Sequence, residues 1–238
     1  MDISVVVPFK DESSRLPQSL ETILTYFDIR NPNAYEVILV DDGSTDDTLV
    51  RIASIMGARS HVRIIRHAIN QGKGRAVQTG ILQSAGELVL FSDADLSTPI
   101  SEFEKLEAAI RRGADIAIGS RALPKSIVLP RRIWYRDLLG RGSNLLIRMV
   151  LRVPFRDTQC GFKLFRRDVA HTLFADIRMP RWSFDFEVLH AAHRQDLCVE
   201  EIAVRWQNAP GSKLKLWDVA VCLLDLFKIR FFYFKNSL

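Results

Sequence analysis

The sequence predicts an α/β fold: a mostly parallel central sheet flanked by helices. Two observations point there. Short unbroken apolar strands alternate with helically spaced segments through the first half of the chain, the pattern of strands covered on both faces. Polar clusters then follow three of those strands, after Val7, Val40 and Phe91, where ligands bind in open α/β sheets. In chain order, Ile3 to Val7 is a β-branched run ending at Pro8, and Arg15 to Tyr26 carries Leu16, Leu20, Ile23 and Leu24 at helical spacing. Glu36 to Val40 is a second strand and Thr48 to Ile55 a helix. Val62 to Ile65 is a strand and Gly74 to Ser84 a helix. Glu87 to Phe91 is a strand, Ile100 to Arg112 a helix and Ile116 to Ile118 a strand.

The chain has 238 residues, 47% hydrophobic and 26% charged, enough to bury a core and too apolar for a disordered chain. Three cysteines, Cys160, Cys198 and Cys222, form no CxxC pair, so neither a disulfide framework nor a zinc cage is indicated. The net charge of +5 hides a split. Residues 1–110 carry 10 Lys+Arg against 16 Asp+Glu, whereas residues 111–238 carry 23 against 12, so each half suits a different partner.

The acidic half holds the candidate chemistry. Asp93 and Asp95, in SDADLSTP, follow a strand two residues apart, so in extended backbone both carboxylates face one site. Such a pair needs a cation. A hard ion, Mg²⁺ or Mn²⁺, bridging to substrate phosphates is one answer; a solvated loop with Ser97 or Thr98 capping the next helix is the other. Asp41 and Asp42 end an earlier strand. Ser44 or Thr45 there would cap the helix through Thr48, while an aspartate, with Glu12, could accept from a base N–H or a ribose hydroxyl. Gly72-Lys73-Gly74 matches neither a Walker loop nor a dinucleotide fingerprint. It is either an anion-approaching turn at a helix start or a flexible turn with a solvated lysine. His190 and His193 lack a third ligand and read as surface or core residues.

The basic half has a different character. From Arg121 to Arg156 nine Lys+Arg stand against one acid, Asp137, and Trp134, Tyr135 and many aliphatic residues are threaded between them. Arginine mixed with Trp, Tyr and Leu at helical spacing describes a helix in a membrane interface; a nucleic-acid surface would carry polar readers and fewer aliphatics. Leu214 to Phe234 repeats the pattern. Asp218, Asp225, Lys228 and Arg230 interrupt its apolar run, so no transmembrane helix is expected.

Together the motifs resemble family-2 glycosyltransferases of the GT-A fold. They are VVPFKDE (Val6 to Glu12), VDDGSTDDT (Val40 to Thr48), NQGKGRAVQTG (Asn70 to Gly80), SDADLSTP and IGSR (Ile118 to Arg121), then DTQCGFKLF (Asp157 to Phe165), WSFDFEVL (Trp182 to Leu189) and GSKL (Gly211 to Leu214). Within that family the chain is similar to the polyprenyl-phosphate branch. SDADLSTP and TQCGFKLF resemble dolichyl-phosphate β-glucosyltransferases more than the mannosyl enzymes.

The resemblance implies an inverting enzyme moving a hexose, glucose from UDP-glucose, to a polyprenyl or dolichyl phosphate. A GDP-mannose-dependent mannosyltransferase and a nucleotidyltransferase of similar fold are the alternatives. Residues 1–120 would form the nucleotide-sugar half, and residues 121–238 the acceptor and membrane-surface half, of one GT-A domain. Pro8, Glu12, Asp41, Asp42, Lys73, Asp93 and Gln159 would bind the nucleotide sugar. Asp95, with Asp93, would hold Mg²⁺ or Mn²⁺. Arg121, Arg132, Arg136 and Lys213 would meet the acceptor phosphate, and Asp93, Asp95, Asp185 and Arg121 would serve catalysis. Asp185 or Glu187 could act as base for an alcohol acceptor. The chain begins at its first strand, so anchoring to the cytoplasmic face of a membrane is expected from the interfacial helices. No nucleic-acid partner is expected.

Overall fold

β1 (Ile3–Phe9) is buried at every position, as a strand sandwiched between two helical layers must be. It pairs in parallel with β2 (Tyr35–Asp41), and β3 (Val62–Arg66) extends the sheet beyond β2. The crossovers are α1 (Leu16–Arg30) and α2 (Thr48–Met56); α3 (Lys73–Leu82) then leads to β4 (Leu88–Ser92), parallel to β1 on its other side. The computed structural model describes residues 1–32, 34–57, 59–129, 134–207 and 216–235.

Beyond β4 come α4 (Phe103–Arg111), β5 (Ile116–Ser120), β6 (Ile127–Leu129) and α5 (Trp134–Leu151). They are followed by β7 (Phe162–Arg166), α6 (Arg167–Ala175), α7 (Phe184–Arg194), β8 (Val199–Ala203), β9 (Arg205–Gln207) and α8 (Leu216–Lys235). The main sheet has the order β3-β2-β1-β4-β7-β5-β8, and β6 pairs with β9 separately. β7 runs antiparallel between β4 and β5, the exception in an otherwise parallel sheet. It also joins β4 of the acidic half to β5 of the basic half, so the two halves share one sheet.

Side-chain alternation divides the interior. Ile3, Val5, Val7 and Phe9 pack with Leu20, Ile23, Phe27, Phe103 and Leu106 on one face. Val6 faces the other way, into Val77, Ile81, Phe174, Phe184 and Leu189. The expected helix from Ile100 to Arg112 opens instead as a 3₁₀ turn, Ile100–Glu102, because the Glu102 N–H closes on the Pro99 carbonyl. α8 packs on α5 and buries Leu226 and Ile229, leaving Leu224, Phe227 and Phe231 exposed. Among the described residues no helix is long and apolar enough to cross a membrane.

Candidate active site

The loops after β1 and β2 are laced together. The Asp11 N–H donates to Ser44 Oγ at 2.9 Å, and Asp11 Oδ1 accepts from the Thr45 N–H at 2.7 Å. The Glu12 N–H donates to Thr48 Oγ1 at 2.9 Å. Ser44 and Thr45 therefore tie two loops and do not cap α2: the residue before that helix is Asp47, with no side-chain cap bond. Asp41, fully buried, accepts the Ser44 N–H at 2.8 Å and pairs with Arg66 at 3.1 Å. Asp42 accepts the Gln71 and Gly72 N–H groups, each at 2.8 Å, and meets His67 Nδ1 at 2.9 Å. Its carboxylate thus fixes the approach to α3. Pro8 lies buried in β1, in register with Val40.

That approach decides part of an open alternative. At the start of α3 two N–H groups are already taken: Gly74 donates to the Arg181 carbonyl at 3.1 Å and Arg75 to the Pro180 carbonyl at 3.0 Å. The glycines are there for contact. A Cβ on Gly74 would stand 2.6 Å from the Met179 carbonyl oxygen, and one on Gly72, whose φ is +104°, 2.4 Å from that of Pro180. Glu187, fully buried, accepts the Met179 N–H at 2.8 Å and the Arg178 N–H at 3.1 Å. It holds this clamp in place and is not poised as a base. Asp185, two residues earlier on the helix, points elsewhere.

Asp185 helps to close the centre. Lys73 Nζ pairs with Asp93 Oδ1 at 2.7 Å and stands 5.0 Å from the Trp182 ring and 5.4 Å from the Phe91 ring. Burial works to strip the Lys73 proton, but Asp93, Asp185 and Asp95 overcome it, so its pKa lies above the ordinary lysine value. Asp185 is buried against Lys163. Burial pushes the Asp185 carboxyl upward, with Lys163 and then Lys73 opposing the rise. Asp95 Oδ1 accepts the Ser97 N–H at 3.0 Å, while Oδ2 lies 3.7 Å from Arg15. No side chain caps the 3₁₀ turn, so Ser97 and Thr98 are not helix caps either. Arg15 also forks onto Glu12 at 2.6 and 2.7 Å, linking the first loop to the Asp95 loop.

Asp93 depends on a glycine. Its N–H donates to the Gly161 carbonyl at 2.9 Å, and a Cβ at Gly161 would fall 1.9 Å from Asp93 Oδ2. Gly161→Ala is therefore expected to displace the Asp93 carboxylate, lowering turnover at least about tenfold for roughly 1.4 kcal/mol of lost transition-state stabilisation. The thermal midpoint should change little, because a short side chain yields and the backbone does not. Steady-state kinetics beside a thermal melt checks this; wild-type turnover would refute it.

Arg121 is held by Asp157 through a fork: Nε to Oδ2 at 2.7 Å and a terminal nitrogen to Oδ1 at 2.8 Å. Burial opposes the Asp157 charge, but Arg121 prevails and holds its carboxyl down at about 2. The Gln159 N–H donates to the same carboxylate at 3.2 Å. Asp157 thus orients Arg121, whose side chain stays 20% exposed and lies 5.7 Å from the Trp206 ring. Arg132 and Lys213 lie outside the described residues, as does the side chain of Arg136. His190 is buried beside the Tyr233 ring, and His193 is exposed against Phe155.

Four residues with no role in the sequence reading matter here: Arg15, Asp157, Gly161 and Lys163. One signal was available, a lysine inside the apolar strand FKLF, since a buried cation demands a partner. The other three depend on contacts between distant segments.

The donor set at Asp93 and Asp95 fits a divalent cation of the oxygen-seeking kind. Their side chains remain 33% and 24% exposed, and one or two carboxylates with substrate phosphates are what Mg²⁺ or Mn²⁺ commonly takes. Among the described residues no three His, Cys, Asp or Glu side chains form a cage by themselves.

Residues 4–174 match the family model of glycosyl transferase family 2. The chain is 39% identical to a dolichyl-phosphate β-glucosyltransferase of Drosophila melanogaster, over 96% of this chain and 74% of that protein. It is 38% identical to the Homo sapiens protein of that name, over 99% and 76%, and 34% identical to the Saccharomyces cerevisiae one, over 97% and 75%. Among solved structures, glucosyl-3-phosphoglycerate synthase from Mycobacterium tuberculosis aligns with a TM-score of 0.69 at 18% identity, covering 96% of this chain and 78% of that one. The same enzyme in complex with Mn²⁺, UDP-glucose and phosphoglyceric acid aligns at 0.66 and 17%, over 96% and 78%. The shared architecture is the GT-A fold.

Proposed function

Because the chain belongs to glycosyl transferase family 2 and is a glycosyltransferase, we propose that it transfers glucose from UDP-glucose to dolichyl phosphate or a related polyprenyl phosphate. The observation that carries this reading is the similarity, over nearly the whole chain, to proteins named for that transfer. The carboxylates gathered at the strand ends of β1, β2 and β4 support it, since a nucleotide sugar needs recognition at such an edge. Residues 1–120 would hold the nucleotide sugar, through Pro8, Glu12, Asp41, Asp42, Lys73, Asp93 and Gln159. Residues 121–238 would present the acceptor, through Arg121, Arg132, Arg136 and Lys213.

The reaction is a single displacement with inversion. An acceptor phosphate oxygen attacks the anomeric carbon, the bond from that carbon to the diphosphate oxygen breaks, and UDP leaves. A phosphate monoester is already anionic near neutral pH, so its oxygen needs no strong base; a hydroxyl acceptor would. Asp185 in this reading orients the site and is not an essential base. Lys73 and Arg121 supply positive charge near the departing diphosphate. A divalent ion held by Asp95 with Asp93 would neutralise charge on that diphosphate.

Membrane contact would occur on the cytoplasmic face through α5 and α8. Leu145 and Met149 of α5 and Phe227 and Phe231 of α8 are exposed, and Leu145 and Met149 border a cavity of about 360 Å³ also lined by Arg148, Arg152 and His193. Basic and apolar side chains on one surface suit anionic lipid. The test is twofold. Turnover with dolichyl phosphate and none with dolichol is expected, with Asp185→Asn slowed by loss of the orienting carboxylate but still transferring to the phosphate; transfer to the alcohol alone would defeat the reading. Flotation with anionic liposomes is expected, and its absence would remove the membrane surface from the account.

A further inference from the structure

Lys163 is a lysine in the middle of the sheet. It is 1% exposed and sits on β7 in register with Phe91 of β4 on one side and Ile118 of β5 on the other. Burying an ammonium is strongly unfavourable unless it is paired and fully hydrogen-bonded. Here Nζ donates to the Asp185 carboxylate and to the Cys160 carbonyl at 2.7 Å, and stands 5.8 Å from the Phe91 ring. The Lys73 ammonium lies 5.4 Å from that same ring. Two Lys–Asp pairs, Lys73 with Asp93 and Lys163 with Asp185, therefore flank one aromatic side chain. Lys163 is too deeply enclosed to serve as a surface contact for a ligand, so any influence it has on transfer passes through Asp185.

We propose that Lys163 is a positioning residue for glycosyl transfer: its buried ammonium fixes the Asp185 carboxylate beside the Lys73–Asp93 pair. The proposal deepens the reading above, in which Asp185 orients the acceptor region. The charged groups facing Asp185 are Lys163 from β7, Lys73 from α3 and Asp93 beyond β4, and Cys222 of α8 also feels its charge. Burial favours the protonated acid, so with Lys163 neutralised only Lys73 opposes it. An opposite charge at this range is worth about one to three pH units. Removing it moves the Asp185 titration upward, and the acid limb of turnover moves with it.

The experiment compares Lys163→Gln, which removes the charge but keeps hydrogen-bonding capacity, with Lys163→Met and with Lys163→Arg. The Asp185 carboxyl is titrated by ¹³C NMR, its signal assigned by its loss in Asp185→Asn, and kcat is profiled against pH. The expected result is a rise of about one to three pH units in the Asp185 midpoint in Lys163→Gln and Lys163→Met. A parallel shift of the acid limb, with restoration of both by Lys163→Arg, is expected too. An unmoved midpoint in folded Lys163→Gln overturns the proposal, as does a uniform loss of kcat at every pH with the limb in place, which marks a purely structural role. The titration needs no turnover, so failure of the glucosyl-transfer reading is distinguishable from failure of this one. Should Lys163→Met not fold, Lys163→Gln alone decides.

Discussion

Asp95→Ala should lower kcat/KM for transfer by about 10³-fold, near 4 kcal/mol of transition-state stabilisation, with the fold intact. Asp95 Oδ2 lies 3.7 Å from Arg15, while Oδ1 is spent on the Ser97 N–H. One carboxylate oxygen with such exposure is the natural attachment for a cation that also meets a diphosphate. The variant should therefore lose the metal-dependent part of UDP binding, read by titration calorimetry with and without Mn²⁺. Loss of the Ser97 N–H bond costs only about 1 kcal/mol, so a thermal melt separates misfolding from the intended effect. Retained Mn²⁺-dependent affinity for UDP would end the assignment of Asp95 as a metal ligand.

Asp157→Ala carries the largest expected loss of stability. Asp157 is 1% exposed and answers both arms of the Arg121 fork, so its removal leaves a largely buried guanidinium without its partner. Breaking such a pair from one side costs about 3–5 kcal/mol. The pH dependence follows from the lowered carboxyl. Its ordinary value is 3.8 and its folded value about 2, so the contribution is complete above 3.8 and is lost as pH falls towards 2. That window is worth about 2 kcal/mol. Urea melts at neutral pH should show the full destabilisation, and melts across the acid range should show the variant lacking the wild-type decline. A destabilisation below about 1 kcal/mol, the level of an exposed pair, would mean that Arg121 finds another partner.

The first half of the fold was legible because its strands are short, mostly apolar runs and its helices keep one periodicity, so Val5, Leu39 and Leu90 announce buried strands directly. The placement of β7 between β4 and β5 was not legible, since nothing local in FKLF states which strands it joins. At the site, the order of polar clusters marked Asp42 and Asp93, but not how their oxygens are used. Asp42 accepts the Gln71 and Gly72 N–H groups and Gly74 donates to the Arg181 carbonyl, partners that no local pattern names. Ser44 illustrates the same limit: the residue type of a helix cap, placed by tertiary contact onto another loop. Local chemistry indicates that a carboxylate or hydroxyl will find a partner, and only the packing of distant segments decides which one.

The most direct test of the account incubates the purified protein with dolichyl phosphate, a divalent cation and, in separate reactions, radiolabelled UDP-glucose and GDP-mannose. The label recovered in lipid and the nucleotide released are then measured. Lipid-bound glucose from UDP-glucose with UDP released in equal amount, and no label from GDP-mannose, is the expected result. Lipid label from GDP-mannose alone, or release of pyrophosphate in place of a nucleoside diphosphate, would contradict it.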